Sequence, residues 1–446
     1  MFTCIYQSIE GKLVLNSPLP VQPAKQYSLE LQNRLDTHGF LDYDGDKLYP
    51  PNYLFGAANG QMLGVLVCTD ADGNEVVLKA FSGQYHGQWL IPGWVPPVCD
   101  TEKFNALVKK TDDQIHELTE MLSTAEVEDA AAMQEKRKAL SQHCLKQIYD
   151  LYTFRCIDGH DISLSDLFGS KLPPTGTGDC CAPKLLQYAF THQLHPVSMA
   201  EFYYGAPNSS GTKQHKEFYG PCDERCKPLL KHILGLEIVY CDETIIVVNK
   251  ESGMLSVPGR VVFDCVEAQV KHLFPDTIKQ PAVHRLDMDT SGLIVMALSR
   301  EAHRNLSIQF IQKLVHKQYV ALLEGVIKGH SGTIELPFRL DVENRPYQIY
   351  DPEQGKMGKT HWEKVGVEYF RKDRLATRIH FTPVTGRTHQ LRLHSAHEKG
   401  LGHPIIGDRL YGREESGQRM LLHACKISFS HPKTQKSLTF ISEAEF

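Results

Sequence analysis

In the stretch VHRLDMDTSGLIVMAL, Val283 to Leu298, Arg285 and Asp287 stand two residues apart, ahead of a Thr-Ser-Gly turn and an apolar run. A carboxylate so close to a guanidinium suits two jobs. It can be the working end of an enzyme, or it can simply hold a loop together, as Asp before such a turn commonly does. A second cluster follows a Gly turn in TPVTGRTHQLRLH, Thr382 to His394, and gathers Arg387, His389, Arg392 and His394. LGHPIIGDRLYG, Leu401 to Gly412, is another loop shaped by Gly and Pro. The N-terminal half offers a different chemistry. GDCCAPK and HKEFYGPCDERCK carry Cys180, Cys181, Cys222 and Cys226, with His215 nearby. Cys180, Cys222 and Cys226 are candidate ligands of a structural zinc, since two adjacent cysteines seldom hold one ion. Two alternatives stand beside that reading: a single reactive thiol, Cys180 or Cys181, at a helix start, or buried thiols with no ligand.

The elements that must position these residues fall into two domains, as a chain of 446 residues exceeds one ordinary core. We place the boundary near residue 230, giving an accessory domain over 1–230 and a catalytic domain over 231–446. Charge divides along the same line. Residues 231–446 hold 29 Lys and Arg against 25 Asp and Glu, and the first 230 hold the remaining 19 against 28. The C-terminal domain is thus net positive by 4 and the N-terminal one net negative by 9, which sum to the formal −5. A basic half permits an anionic partner but does not by itself demand one. No apolar run reaches the length of a membrane helix, and MFTCIYQSIEGK lacks the pattern of a secretory signal. The expectation is a cytoplasmic chain whose 12 cysteines serve as thiols or metal ligands rather than disulfides.

MLGVLVCTDADGNEVVLKAF reads as a β-hairpin around Asp-Gly-Asn. From 101 to 152 there is no Gly or Pro, and apolar residues keep helical spacing, so a helical hairpin broken near STAEVEDA is predicted. The cysteine-bearing segment, about 175–228, has a helix over Ala182–Phe190 at its centre. Beyond it LEIVYCDETIIVVNK gives two strands, and Asp264 with Glu267 forms a candidate capping box for the helix after it. Leu293–Leu298 reads as a buried strand, Ser299 as the cap of the next helix, and HKQYVALLEG as a strand. HWEKVGVEYF and RLATRIHFTPV make an antiparallel pair, and THQLRLHSAHEKGLG a short helix. The fold class is α+β, with a mixed, largely antiparallel sheet in the C-terminal domain.

In this order and spacing, HRLDMDTSGLIV, KQYVALLEG, TGRTHQLRLH and LGHPIIGDRLYG resemble the RluA family of RNA pseudouridine synthases across about 235–446. The resemblance implies an isomerase that breaks the N1–C1′ bond of a uridine in RNA, turns the uracil and rejoins it through C5. That chemistry requires no cofactor. By motif match Asp287 is the aspartate that attacks or stabilises C1′, with Arg392 as its ion-pair partner. Tyr319 is the active-site tyrosine, a stacking ring with a hydroxyl for proton transfer; a core tyrosine is the plain alternative. Arg285 fills the gap left by the extruded uridine. Arg387, Arg409 and Arg260 are candidate phosphate contacts, and His389 an RNA-contact or core histidine, as is His394. His284 is read as structural. Glu251 stands where the family often has Pro after the Lys of NKP, at a strand end remote from the motifs in sequence.

The subgroup implied is RluA itself, with 23S rRNA and tRNA as substrates. Two rivals remain at this level: an RNA-binding protein that keeps the fold without the reaction, and a nucleoside or glycoside hydrolase. The set Asp287, Tyr319 and Arg392 speaks against the first, and the absence of a second carboxylate in the motifs speaks against the second.

Overall fold

Sequence alternation and capping account for most elements in the computed structural model. It describes all residues except 1–4, 9–16, 42–48, 57–59, 125–126, 170, 223–224, 260, 263, 372–373 and 414–416. The chain divides into two units, Leu15–Glu237 and Ile238–Phe446, the second joined by Met1–Val14. The division therefore falls seven residues beyond the expected 230, because a cut at 230 would split a helix whose apolar side belongs to the first unit. Strand β1 (Ile5–Ser8) pairs with a strand near the C-terminus, so the opening residues leave the N-terminal unit altogether.

In the first unit, helix α1 (Ala24–His38) is followed by the predicted hairpin of β2 (Gln61–Thr69) and β3 (Glu75–Phe81). Its turn is held by the Asp70 carboxylate, which accepts the N–H groups of Asp72 and Asn74. The helical hairpin forms as α2 (Thr101–Thr124) and α3 (Val127–Tyr149), with Leu118 and Cys144 buried. Two short strands, β4 (Thr153–Arg155) and β5 (Asp161–Ser163), lead to α4 (Leu164–Phe168). Then come α5 (Cys181–Thr191), β6 (His195–Tyr204), β7 (Phe218–Tyr219) and α6 (Cys226–Leu234). The antiparallel sheet runs β3-β2-β6-β7. Leu63, Val65 and Val67 of β2 share a core with Leu31 and Leu35 of α1. The alternate residues face α5, where Gly64 admits the helix: a Cβ there would stand 2.7 Å from that of Cys181. A strand covered on both faces must be apolar throughout, hence the unbroken MLGVLVC.

The second unit begins with β8 (Ile238–Cys241) and β9 (Ile245–Lys250), joined by a turn in which Asp242 Oδ1 accepts the N–H groups of Thr244 and Ile245. Helix α7 (Val266–Leu273) departs from expectation at its start. Its N-cap is Cys265, whose sulphur accepts the Ala268 N–H, while Asp264 accepts from the Gln269 side chain. Next come β10 (Ser291–Ala297) and α8 (Arg300–Ile311), the latter capped by Ser299 as predicted. Strands β11 (His316–Glu324), β12 (Ser331–Leu340), β13 (Gln348–Tyr350), β14 (Lys356–Phe370) and β15 (Arg374–Pro383) precede helix α9 (Gln390–Ala396). The chain closes with β16 (Leu422–Ser430) and β17 (Ser437–Ile441). The sheet runs β13-β12-β14-β15-β11-β16-β10-β9-β8, with β17 and β1 branching from β16.

All its pairings are antiparallel except β10 with β16. That parallel contact spans only Ser291 and Gly292 and lies directly after the Asp287 loop. Gly292 has φ +112, and a Cβ there would come within 2.5 Å of the Ala424 backbone. Opposite Tyr319, β16 carries an extra residue, since Gln318 pairs with Lys426 but Val320 with His423. Such bulges locally re-aim side chains. No helix among the described residues is long and apolar enough to cross a membrane.

Candidate active site

The loop before β10 is tied down on every side by backbone bonds. His284 is half-buried, and its Nε2 accepts the Val295 N–H at 3.1 Å; desolvation pulls the ring down to about 3, so it stays neutral. Leu286 is buried, and the Ser256 hydroxyl both accepts its N–H (3.0 Å) and donates to its carbonyl (2.8 Å). With Leu286 turned inward, its neighbours Arg285 and Asp287 emerge exposed and half-buried respectively. The Thr290 N–H closes a turn onto the Asp287 carbonyl at 3.1 Å.

Beneath that turn sits Lys250, 1% exposed, at the end of β9. Its ammonium donates to the carbonyls of Glu251 (2.8 Å), Met254 (2.7 Å) and Met288 (2.9 Å). Burial lowers it to about 8, against the pull of Asp289, Asp287 and Glu251. The strand end that looks remote in sequence is thus an anchor of the Asp287 turn, and Glu251 contributes through its carbonyl, an atom any residue carries.

Arg392, expected to pair with Asp287, is forked instead onto Asp408. Its Nε reaches Oδ2 at 2.8 Å and Nη2 reaches Oδ1 at 2.6 Å, with the two side chains 3% and 1% exposed. A guanidinium buried that deeply needs a fixed carboxylate, and Asp408 is fixed by the N–H groups of Leu410 and Tyr411. The fork uses one edge of the guanidinium, and Asp287 lies within electrostatic range of the group. Asp408 and Tyr411 escaped the sequence reading, although LGHPIIGDRLYG contains both. The signal was an acid after a glycine held at φ +77.

The Tyr411 hydroxyl accepts the Gln348 N–H and bonds His389 Nδ1 at 2.9 Å, and the Arg392 guanidinium lies 5.3 Å from its ring centre. His389 has φ +55 at the start of α9, and its ring shares the fields of Asp287, Arg392, Asp408 and Arg285. Burial lowers its basicity. Tyr319 is 9% exposed on β11, and burial together with Asp287 pushes its phenol well above the ordinary range. Asp287 therefore lies within electrostatic range of Tyr319, His389 and Arg392.

The other predicted residues fall around this group. Arg387 is exposed and donates to the Met357 carbonyl at 2.8 Å. Gln390 staples the TGRTHQ turn to β14, donating to the Lys359 carbonyl and the Thr360 hydroxyl. Arg409 is not a free cation but pairs with Asp289 at 3.0 Å. His394 is fully buried with neither ring nitrogen hydrogen-bonded, and burial lowers it to about 4. Arg260 lies outside the described residues.

In the N-terminal unit the structure brings together the sulphurs of Cys180, Cys222 and Cys226, all within 4.8 Å of one another. Cys181 is turned away into the core, its sulphur 3.3 Å from the Met62 carbonyl. Burial pushes that thiol far above its usual range, which disfavours the thiolate a nucleophile needs. His215 is committed elsewhere, its Nδ1 accepting the Gly205 N–H.

Comparison with known proteins converges on the C-terminal unit. Residues 244–397 match the family model described as RNA pseudouridylate synthase. The dual-specificity RNA pseudouridine synthase RluA of Haemophilus ducreyi is 42% identical over 219 residues, 47% of this chain and 94% of that protein. Its counterpart in Escherichia coli K12 is 43% identical over 216 residues, with the same coverage. Among solved structures, human RNA pseudouridylate synthase domain containing 1 aligns at 30% identity and a TM-score of 0.41, over 47% of this chain and 84% of its own. The family model and the RluA relatives define an RNA pseudouridine synthase, an isomerase that converts uridine in RNA to pseudouridine. Within that class the chain belongs to the RluA family.

Proposed function

We propose that Asp287 is the catalytic carboxylate, acting on C1′ of a uridine in structured ribosomal or transfer RNA in the cytoplasm. The observation that carries this is its setting: a half-buried carboxylate on a turn pinned by Ser256 and Lys250, within range of Tyr319, His389 and Arg392. As the C1′–N1 bond breaks, its electron pair leaves with the uracil and Asp287 attacks or stabilises the sugar carbon. The uracil turns and C5 bonds to C1′ as any Asp287–C1′ bond breaks and its electron pair returns to the carboxylate; the C5 proton is then lost to solvent and N1 takes one up, so the net change is an isomerisation. Arg392, held rigid by Asp408, keeps positive charge beside Asp287 without turning over itself.

Tyr319 works as a neutral phenol, because Asp287 and burial disfavour its anion. Its ring stacks on the base and its hydroxyl relays a proton. Arg285, exposed beside the turn, occupies the gap in the RNA stack, and Arg387 with His389 contacts the substrate strand. Ribosomal and transfer RNA as targets are supported by similarity to relatives named dual-specificity synthases.

The test uses RNA from cells lacking the protein, carrying uridine tritiated at C5. Wild type is expected to release tritium to water, and Asp287→Ala to release none while still binding RNA. Release from both proteins would show that a different carboxylate acts. Release from neither, with tight binding, would leave an RNA-binding role.

A further inference from the structure

Cys180 is the N-cap of α5, Cys226 opens α6 and Cys222 lies four residues before it. Two segments far apart in sequence thus deliver three sulphurs to within 4.8 Å of one another, across the contact between α5 and α6. Zinc at about 2.3 Å from each thiolate of a tetrahedral site sets its sulphurs roughly 3.8 Å apart, so at most about 1 Å of adjustment closes this triangle. Three surroundings favour a metal-bound state. The N–H groups of Cys226 and Lys227 both donate to the Cys222 carbonyl, at 3.3 and 3.2 Å, which holds Cys222 against the start of α6. The Lys213 ammonium lies within electrostatic range of Glu201, Cys222 and Cys180, so the negative charge of a zinc tris-thiolate would have a cation nearby. Cys181, next in sequence, points away into the core, so the trio is selected by the fold and not by crowding of cysteines.

Other groups nearby are already occupied. Glu201 is buried, and its carboxylate accepts the Ala182 N–H. The one further cluster of metal-ligating types among the described residues is Cys156, Asp158 and His160, of which the last two are exposed and bonded to each other.

We propose that Cys180, Cys222 and Cys226 bind one zinc ion that braces α5 against α6, with solvent at the fourth position beside the exposed Cys222. Binding forms three zinc–sulphur bonds and releases three thiol protons, with no change of oxidation state. The site is independent of the proposed roles of Asp287 and Arg392.

The test is made on the full chain, expressed with added zinc and purified under reducing conditions without chelator. Elemental analysis is expected to give about one zinc per chain. Replacement by cobalt should yield the visible bands and the thiolate-to-metal charge transfer of a tetrahedral sulphur site. Cys180→Ser and Cys226→Ser should retain less than about a tenth of the metal, and Cys144→Ser, distant in the helical hairpin, should retain it all. The exposed Cys222→Ser serves if the buried variants fail to fold, and the cobalt spectrum needs no variant. Reduced wild type that carries no zinc and takes up no cobalt would overturn the proposal. So would metal that persists in Cys180→Ser/Cys222→Ser, or a disulfide joining two of the three in anaerobically handled protein.

Discussion

Arg392 was singled out from its motif as the partner of Asp287, and in the structure its guanidinium is forked onto Asp408. The type of residue, a permanently charged fork, follows from the need for a cation beside Asp287. Its ligand was decided by Asp408, which comes from a loop sixteen residues on and is buried with it. Asp408→Asn would leave a buried guanidinium short of its counter-charge. We expect a loss of about 3–5 kcal/mol in urea unfolding of the C-terminal unit, a larger penalty than any exposed ion pair would give. Lys250 makes a second case. Lys250→Met keeps the volume but removes the ammonium that bonds the Glu251, Met254 and Met288 carbonyls, so the Asp287 turn should loosen. The expected result is at least a tenfold fall in kcat with KM little changed, measured on the tritium-release assay. A fall in KM alone would argue that Lys250 does not position the turn.

At the scale of elements, the junction of β10 with β16 matters most, since it fixes where the Asp287 loop ends and where Tyr319 sits across the bulge. Only glycine can occupy position 292, on two counts: a φ of +112 and the Ala424 backbone at 2.5 Å from any Cβ. Gly292→Ala should therefore destabilise the unit by more than about 2 kcal/mol, read as a lowered urea midpoint with unchanged slope. The elements themselves were mostly legible. The β2–β3 hairpin, the α2–α3 pair, the Ser299 cap and strands β10, β11, β14 and β15 follow from periodicity and turn residues that act locally. The start of α7 was not, because a cysteine sulphur replaced the expected aspartate as cap. Both residues are competent acceptors, and the neighbouring packing chose between them.

Across the whole molecule, histidines held neutral in the interior couple stability to acid. Burial lowers His284 to about 3 and His394 and His423 to about 4, all in the C-terminal unit. In the unfolded chain each takes up a proton below about 6.5, whereas the folded chain refuses it until near its own lowered value. Stability should accordingly fall as pH drops from 6.5 toward 4, at up to ~4 kcal/mol per pH unit when all three contribute. Urea unfolding across that range checks it. Replacing His394 by Gln should flatten the slope, and an unchanged slope would remove that histidine from the account.

What the amino-acid order determined alone is the chemistry and its local frame. Asp287, Tyr319 and Arg392 could be proposed because four motifs resembling one family stand in order along the chain, and the strands and helices around them could be read because hydrophobic period and caps are short-range properties. The tertiary structure decided what depends on chain segments meeting. It gave Arg392 to Asp408, Arg409 to Asp289 and Lys250 to the underside of the Asp287 turn. It also sorted Cys180, Cys222 and Cys226 from Cys181, and set the division between units at Glu237, beyond α6. Each of these turns on distance in space between residues far apart in the chain, a quantity that residue spacing does not encode.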